Sequence, residues 1–251
     1  MRLKAKDFLL VASLLMLASN LQARINILEP WHPGQDSTIG LKDSCQMIAA
    51  ARSGERFFEV PYQFSYAADR QFEVGGRWGI LSVPGAVGIN DLAIGAKYQF
   101  IDGKGDKPAV IGEAAVSLPT GDSTKGLGTG AVGAWFHWAL EKKFSDKVAY
   151  FGLGLNINSK NSDKLKLGDV FYYHIGASMP YKANMRLHAE LKGFNHGNAQ
   201  LDSVSLNDEY QELYLAPGIN YFWKKKSVIS GSLLIGLTPK SSDIGILISY
   251  Q

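Results

Sequence analysis

The chain has 251 residues, enough for one domain of any fold class, and its formal net charge is only +3. Its 26 basic and 23 acidic residues nearly balance and form no basic stripe, which argues against nucleic acid as a partner. Cys45 is the single cysteine, so an intramolecular disulfide is excluded.

Residues 1–23 have the features of a secretory signal peptide. A basic start precedes an apolar run from Phe8 to Ala18, and a polar segment follows that ends in the small residue Ala23. The apolar run is too short to cross a bilayer as a helix. We therefore expect export through this signal peptide, followed by an irregular periplasmic lead over residues 24–42.

Residues 43–54 allow two interpretations. Asp43 is suited to cap a short helix through Met47 and Ile48, and the same residues also suit a first strand. We favour the strand because it makes the number of strands even, as in bacterial outer-membrane barrels.

From Glu55 onward, apolar residues alternate with polar or small ones. Phe151, Leu153 and Leu155, for example, share one face of a predicted strand whose other face carries Gly152. The pattern predicts about 12 antiparallel strands of roughly 9 to 15 residues, long enough to cross a bilayer when tilted. The alternative is a soluble sandwich or lipocalin-like barrel, but soluble strands are usually about 5 to 6 residues long.

The connections between the strands alternate in length. Short turns alternate with long loops at 119–129, 159–168 and 196–209, as expected for periplasmic turns and external loops. Aromatic residues on the apolar face lie where strands approach the short turns or the C-terminus, which predicts a girdle at the periplasmic interface. These residues are Tyr66, Phe100, Trp138, Tyr181, Trp223 and Tyr250. The predicted fold is all-β, a transmembrane antiparallel β-barrel over residues 43–251 with both termini periplasmic.

The last predicted strand has one apolar face, formed by Ile244, Ile246, Ile248 and Tyr250. It resembles the terminal β-signal by which bacterial outer-membrane barrels are recognised for insertion, although Gln251 follows the aromatic residue. We expect the Gram-negative outer membrane as the location. The expected partners are outer-membrane lipids and, through this strand, the barrel-assembly machinery.

Three sequence segments carry a more specific resemblance: Asn90–Phe100, Ser117-Leu-Pro-Thr-Gly-Asp122 and Gly126-Leu-Gly-Thr-Gly130. They resemble an outer-membrane channel family named for the meta-cleavage pathway of phenol degradation, and the resemblance covers roughly residues 55–251. It implies a barrel and passive uptake or efflux, with no catalytic residues and no cofactor. The family name comes from the genetic setting of some members, so a phenolic solute does not follow from it.

Polar and aromatic residues on the opposite strand faces are the candidates for lining the lumen. They are Glu59, Glu73, Arg77, Lys97, Glu113, His137, Glu141, Tyr150, Tyr172, His174, Arg186, His188, Glu190, Lys192, Tyr214 and Phe222. Two interpretations remain open. The charged residues form a paired network that fills and braces the barrel, or they line a water-filled path with an aromatic surface for a solute.

The histidines do not predict a metal or catalytic site. The expected strand registers place His174 opposite Glu190 or Lys192 rather than His188, so no shared metal is expected. A lipid-modifying enzyme would need serine and histidine together on the lipid-facing side, and His196 has no recognisable serine partner.

The function expected from these features is that of an outer-membrane channel for passive passage of small solutes, hydrophobic or aromatic ones among them. The alternatives are a plugged structural or surface-interaction barrel and, less favoured, a lipid-modifying enzyme. Residues 24–54 are compatible with a position inside the lumen or outside it.

Overall fold

The computed structural model describes residues 45–54, 57–69, 71–104, 107–223, 227–241 and 244–250. The predicted signal peptide and periplasmic lead lie outside the described residues. Within the described ranges, the structure contains no helix of the length and apolar character needed to traverse a bilayer.

The described residues form a closed ring of twelve antiparallel strands. These strands are β1 (Cys45–Gly54), β2 (Phe57–Ala67), β3 (Phe72–Val83), β4 (Leu92–Asp102), β5 (Ala109–Leu118), β6 (Gly133–Phe144), β7 (Lys147–Asn158), β8 (Val170–Lys182), β9 (Met185–His196), β10 (Tyr210–Trp223), β11 (Ser227–Gly236) and β12 (Ile244–Tyr250). Each strand pairs with the next in sequence, and β12 returns to β1, with Tyr250 opposite Ala49. The predicted all-β barrel is therefore confirmed.

The two faces of each strand differ as the alternating sequence predicts. On β12, Ile246 and Ile248 are half exposed whereas Leu247 between them is 1% exposed. On β6, Trp138 points outward and is 54% exposed, whereas the neighbouring His137 is fully buried. The apolar side chains cover the outside and many polar ones fill the inside, which is the reverse of a soluble β-domain and is the pattern of a barrel in lipid.

The two ends of the barrel differ in the length of their connections. Residues 145–146 and 183–184 form tight turns at one end, and Ser145 adopts a positive φ of 58° there. Segments 119–132, 159–169 and 197–209 are the long loops at the other end. Five predicted girdle residues are exposed: Tyr66, Phe100, Trp138, Tyr181 and Trp223. Four of them lie within two residues of the strand end at a short turn, whereas Trp138 lies midway along β6 and stacks on Phe100. The side chain of Tyr250 lies outside the described residues.

The connections at the long-loop end contain additional structure. Ala86–Ile89 pairs back onto β3 and extends the wall, a strand that the sequence did not predict. A small separate sheet joins the second and third long loops through Leu165–Lys166, Gln200–Leu201 and Val204–Ser205. The lysines of the second loop all have polar partners: Lys160 with Ser203, Lys164 with Asp202, and Lys166 with Asp169. This loop is therefore tied to its neighbour and partly neutralised.

Candidate functional site

A cavity of about 460 Å³ lies inside the barrel at the long-loop end. We call it the vestibule. Part of its lining comes from the barrel wall, including Arg77 on β3 and Trp135 on β6, and part comes from the first long loop, including Leu127. Because wall and loop residues line the same space, the loop must fold into the barrel mouth rather than away from it.

The charged groups of the vestibule are paired with one another. Arg77 donates a hydrogen bond to Glu59 Oε1 at 2.9 Å, and the Asn90 amide donates to the same oxygen at 2.6 Å. Asn90 Oδ1 in turn accepts from the Gly79 backbone N–H at 2.6 Å. The vestibule therefore presents a fixed, internally compensated set of polar groups.

Asp91 holds the first long loop in place. Its carboxylate accepts hydrogen bonds from the backbone N–H of Gly121 at 2.9 Å and of Thr129 at 2.8 Å, and from the Thr129 hydroxyl at 2.9 Å. A Cβ atom added at Gly128 would collide with the same carboxylate, so this close approach requires glycine. With the loop held, Leu127 is 4% exposed and lies against the vestibule. This arrangement explains the Ser117–Gly130 motif as an inward-folded loop.

A chain of buried charged side chains crosses the inner wall near mid-height, on β4 to β9. We call it the charged belt; its members are Lys97, Glu113, His137, His174, Glu190 and Lys192. Successive contacts measure 4.0 Å from Lys97 to Glu113, 3.3 Å from Glu113 to His137, 3.2 Å from His137 to His174, 3.0 Å from His174 to Glu190 and 3.3 Å from Glu190 to Lys192. None of the six residues is more than 5% exposed. Each of the two buried carboxylates therefore lies between a lysine and a histidine, away from solvent.

Two glycines on β7 make the belt continuous. His137 is on β6 and His174 is on β8, so β7 lies between them. A Cβ at Gly152 would clash with both imidazole rings, and one at Gly154 would clash with the Tyr172 ring. Because these positions have no side chain, the two histidines touch across an intervening strand. This contact was not predicted from the sequence, although two lumen-facing glycines between histidine-bearing strands are consistent with it.

Aromatic rings separate the belt from the vestibule. Trp135, Tyr172, Phe194 and Tyr214 belong to one buried cluster inside the barrel, and Trp135 also lines the vestibule. The Tyr172 ring stacks on His137 with 5.7 Å between centroids and on Phe194 with 6.3 Å. An apolar layer therefore lies directly next to the charged one.

The family is decided by a sequence comparison. The model of the family described as "Putative MetA-pathway of phenol degradation" matches residues 58–245, about three quarters of the chain. The chain belongs to this family. The resemblance seen in the motifs between Asn90 and Gly130 is thus confirmed.

Solved structures have a similar fold. An outer-membrane channel from Pseudomonas putida F1 is similar, with 13% identity, a TM-score of 0.71 and coverage of 87% of this chain and 98% of that one. The NanC porin is similar with 10% identity, a TM-score of 0.56 and coverage of 82% and 98%. At these identities the likeness establishes an outer-membrane barrel fold. No curated protein matches the sequence.

The remaining residues predicted to line the lumen lie at different positions along the barrel axis. Glu73 is buried on β3 directly opposite Lys97, and Glu141 lies 3.9 Å from Lys143. Tyr150 and His188 are buried, and His188 shares a hydrogen bond of 2.8 Å with Ser232. Arg186 donates to the Asp146 carbonyl at the short-turn end, where Phe222 is 37% exposed. The expected register is confirmed, since His174 faces Lys192 and His188 faces Ser178.

The donor groups of the lumen do not form a metal site in the part of the chain that is described. There, no group of three or more His, Cys, Asp or Glu side chains is arranged to hold an ion. His196, predicted to lie in a loop, is the last residue of β9 and pairs with Glu212 at 3.2 Å.

Proposed function

We propose that this protein is an outer-membrane channel for the passive passage of small solutes. In this proposal the signal peptide directs export, and the barrel-assembly machinery inserts the chain through β12. The observation that carries the proposal is the vestibule of about 460 Å³ inside a barrel whose outer face is apolar. Family membership and the fold of outer-membrane barrels support it.

The vestibule lining favours solutes that combine an apolar ring or short chain with a hydrogen-bonding group. Trp135 and Leu127 offer apolar surface, while Arg77, Asn90 and Asn156 offer polar groups within the same cavity. A pure hydrocarbon would displace water from these polar groups and offer no hydrogen bond in exchange, which is costly. A highly charged solute would have to compete with ion pairs already formed.

A second candidate function is a filled, structural barrel. The charged belt favours it, since Lys97, His137 and His174 are at most 1% exposed, so side chains are closely packed around this part of the inner wall. Under the channel proposal the belt is the barrier that a solute or a conformational change must open. A channel conducts ions or admits solutes, whereas a filled structural barrel does neither, so a conductance measurement distinguishes the two functions.

The test is conductance of purified, folded protein in planar bilayers, combined with solute uptake into proteoliposomes. We expect discrete currents and faster uptake of phenol-like solutes than of glucose. Trp135→Ala and Trp138→Ala are matched variants, because both tryptophans are on β6 but only Trp135 faces the vestibule. Only Trp135→Ala should change solute preference. A folded barrel that neither conducts nor admits solutes over the whole accessible pH range contradicts the channel proposal.

A further inference from the structure

The central contact of the charged belt joins two nitrogen atoms of the same kind. His137 Nε2 and His174 Nε2 are 3.2 Å apart, within hydrogen-bonding distance, and both rings are at most 1% exposed. The other nitrogen of each ring faces a carboxylate: His137 Nδ1 is 3.3 Å from Glu113 Oε2, and His174 Nδ1 is 3.0 Å from Glu190 Oε1. The arrangement is symmetric about the midpoint between the rings.

The number of protons on the four ring nitrogens determines the charge of this histidine pair. A carboxylate near Nδ1 favours a proton on that nitrogen, through a hydrogen bond at His137 and through charge alone at His174, whose Nδ1 is close to Glu190 but not aligned for a hydrogen bond. Each neutral ring would then present a bare lone pair at Nε2. Two lone pairs would then face each other at 3.2 Å, which is not a hydrogen bond. One added proton between the Nε2 atoms turns the contact into an N–H···N hydrogen bond. The pair then carries a single positive charge between the carboxylates of Glu113 and Glu190.

The other charged and titratable groups around the pair fit one positive charge rather than two. They are Lys97 on β4, Glu113 on β5, Glu141 on β6, Tyr150 on β7, Tyr172 on β8, and His188, Glu190 and Lys192 on β9. Two carboxylates contact the rings directly, but each also contacts a lysine at the outer end of the belt. Those lysines reduce the capacity of the carboxylates to balance a further positive charge.

We propose that His137 and His174 form a proton-binding site that holds one shared proton in the closed barrel, and that binding of a second proton separates the rings and opens the belt. The second part rests on the proposed channel function. Two cationic rings would point N–H groups at each other at 3.2 Å, with donors only and no acceptor between them. The contact is therefore lost, and with it the link between the β4–β6 half of the belt and the β8–β9 half.

The site is first tested without any reference to transport. Histidine is labelled with ¹⁵N in the full-length protein in detergent micelles, and ring nitrogen shifts are followed from about pH 8 to pH 5, across the ordinary histidine range near 6.5. At the neutral end we expect the two rings together to carry one positive charge. His174→Asn should return His137 to a neutral ring with its proton on Nδ1, because the shared proton has lost its second nitrogen.

His196→Asn is the matched control, since His196 also contacts a carboxylate, Glu212, but lies outside the belt. It should leave the His137 and His174 signals unchanged. If both rings are neutral at neutral pH in the wild-type protein, or if both are fully cationic there, the shared-proton site is wrong. Heat-dependent mobility on gels confirms that each variant is folded.

The opening step is tested by current as a function of pH in planar bilayers. We expect conductance to rise as the pH falls below the histidine range, and we expect His174→Asn to abolish most of that rise. Currents that are present but independent of pH refute the opening step while leaving the channel proposal intact. Absence of current at every pH refutes both the channel proposal and the opening step, and the NMR result for the shared proton then stands separately.

Discussion

Removing the carboxylate of Asp91 should release the inward-folded loop. Asp91→Ala deletes three hydrogen bonds to the loop, from Gly121 N–H, Thr129 N–H and the Thr129 hydroxyl. Hydrogen bonds to a charged group contribute about 1.5 to 3 kcal/mol each, so a partly additive loss of about 4 kcal/mol is expected for the docked state. Since each 1.4 kcal/mol is about a tenfold change, the ratio of docked to released loop falls roughly a thousandfold.

Planar-bilayer recording at constant pH measures this change. If the loop narrows the mouth through Leu127, Asp91→Ala should give larger and noisier currents than the wild-type protein, with the same strand content by circular dichroism. Wild-type currents from a folded Asp91→Ala protein would refute the view that the loop restricts the path.

Asp122→Ala is the control for this experiment, because it changes another aspartate of the same loop. The Asp122 side chain is solvent-accessible and caps the short 3₁₀ turn Ser123–Lys125. A hydrogen bond from Lys125 lowers the pKa of Asp122 to about 2. Its folded-state pKa lies below the ordinary 3.8, so the cap is present above that value and is lost only as the pH falls through about 2. We expect wild-type currents from Asp122→Ala and an NMR titration near pH 2 that moves toward 3.8 in Lys125→Ala.

Two further pairs of substitutions test the inside and the outside of the barrel. Gly154→Leu places a side chain into a lumen-facing tyrosine ring and should destabilise the barrel by at least about 1 to 3 kcal/mol, whereas Gly231→Ala, where an added Cβ meets nothing within 4 Å, should be nearly neutral. Denaturant unfolding in lipid vesicles measures both, and equal losses would show that the glycine does not serve to make room. Ile175→Lys puts a charge on the lipid face of β8 and should cost about 2 to 4 kcal/mol, whereas Val204→Lys in an exposed loop should cost little. Similar stability of these two lysine variants would contradict the membrane orientation.

The sequence predicts the faces and the register of this barrel well, because side-chain direction alternates strictly along a strand. A one-residue error would turn the whole apolar face inward, so the pattern leaves little freedom. His174 opposite Lys192, and the outward Ile246 and Ile248 around the buried Leu247, are direct results of that periodicity.

Contacts between non-neighbouring strands could not be predicted in the same way. The contact between His137 and His174 forms because Gly152, on the strand between them, has no side chain. The alternation of apolar and polar residues does not encode the distance between the two rings. The tether from Asp91 to Thr129 depends on the path of an irregular loop. In both cases the decisive quantity is a distance in three dimensions, set by barrel curvature and loop geometry.

The pairing of the first and last strands has a consequence for biogenesis. β1 and β12 meet at a seam, with Ala51 opposite Ile248, so the ring is complete only when nearly the whole chain has been arranged. Before that, both edges carry backbone N–H and C=O groups without partners, and each such group costs several kcal/mol in hydrocarbon. A partly formed barrel with two open edges is therefore not stable in the lipid. Each folding intermediate needs another protein strand to form hydrogen bonds with its edge N–H and C=O groups until β1 pairs with β12.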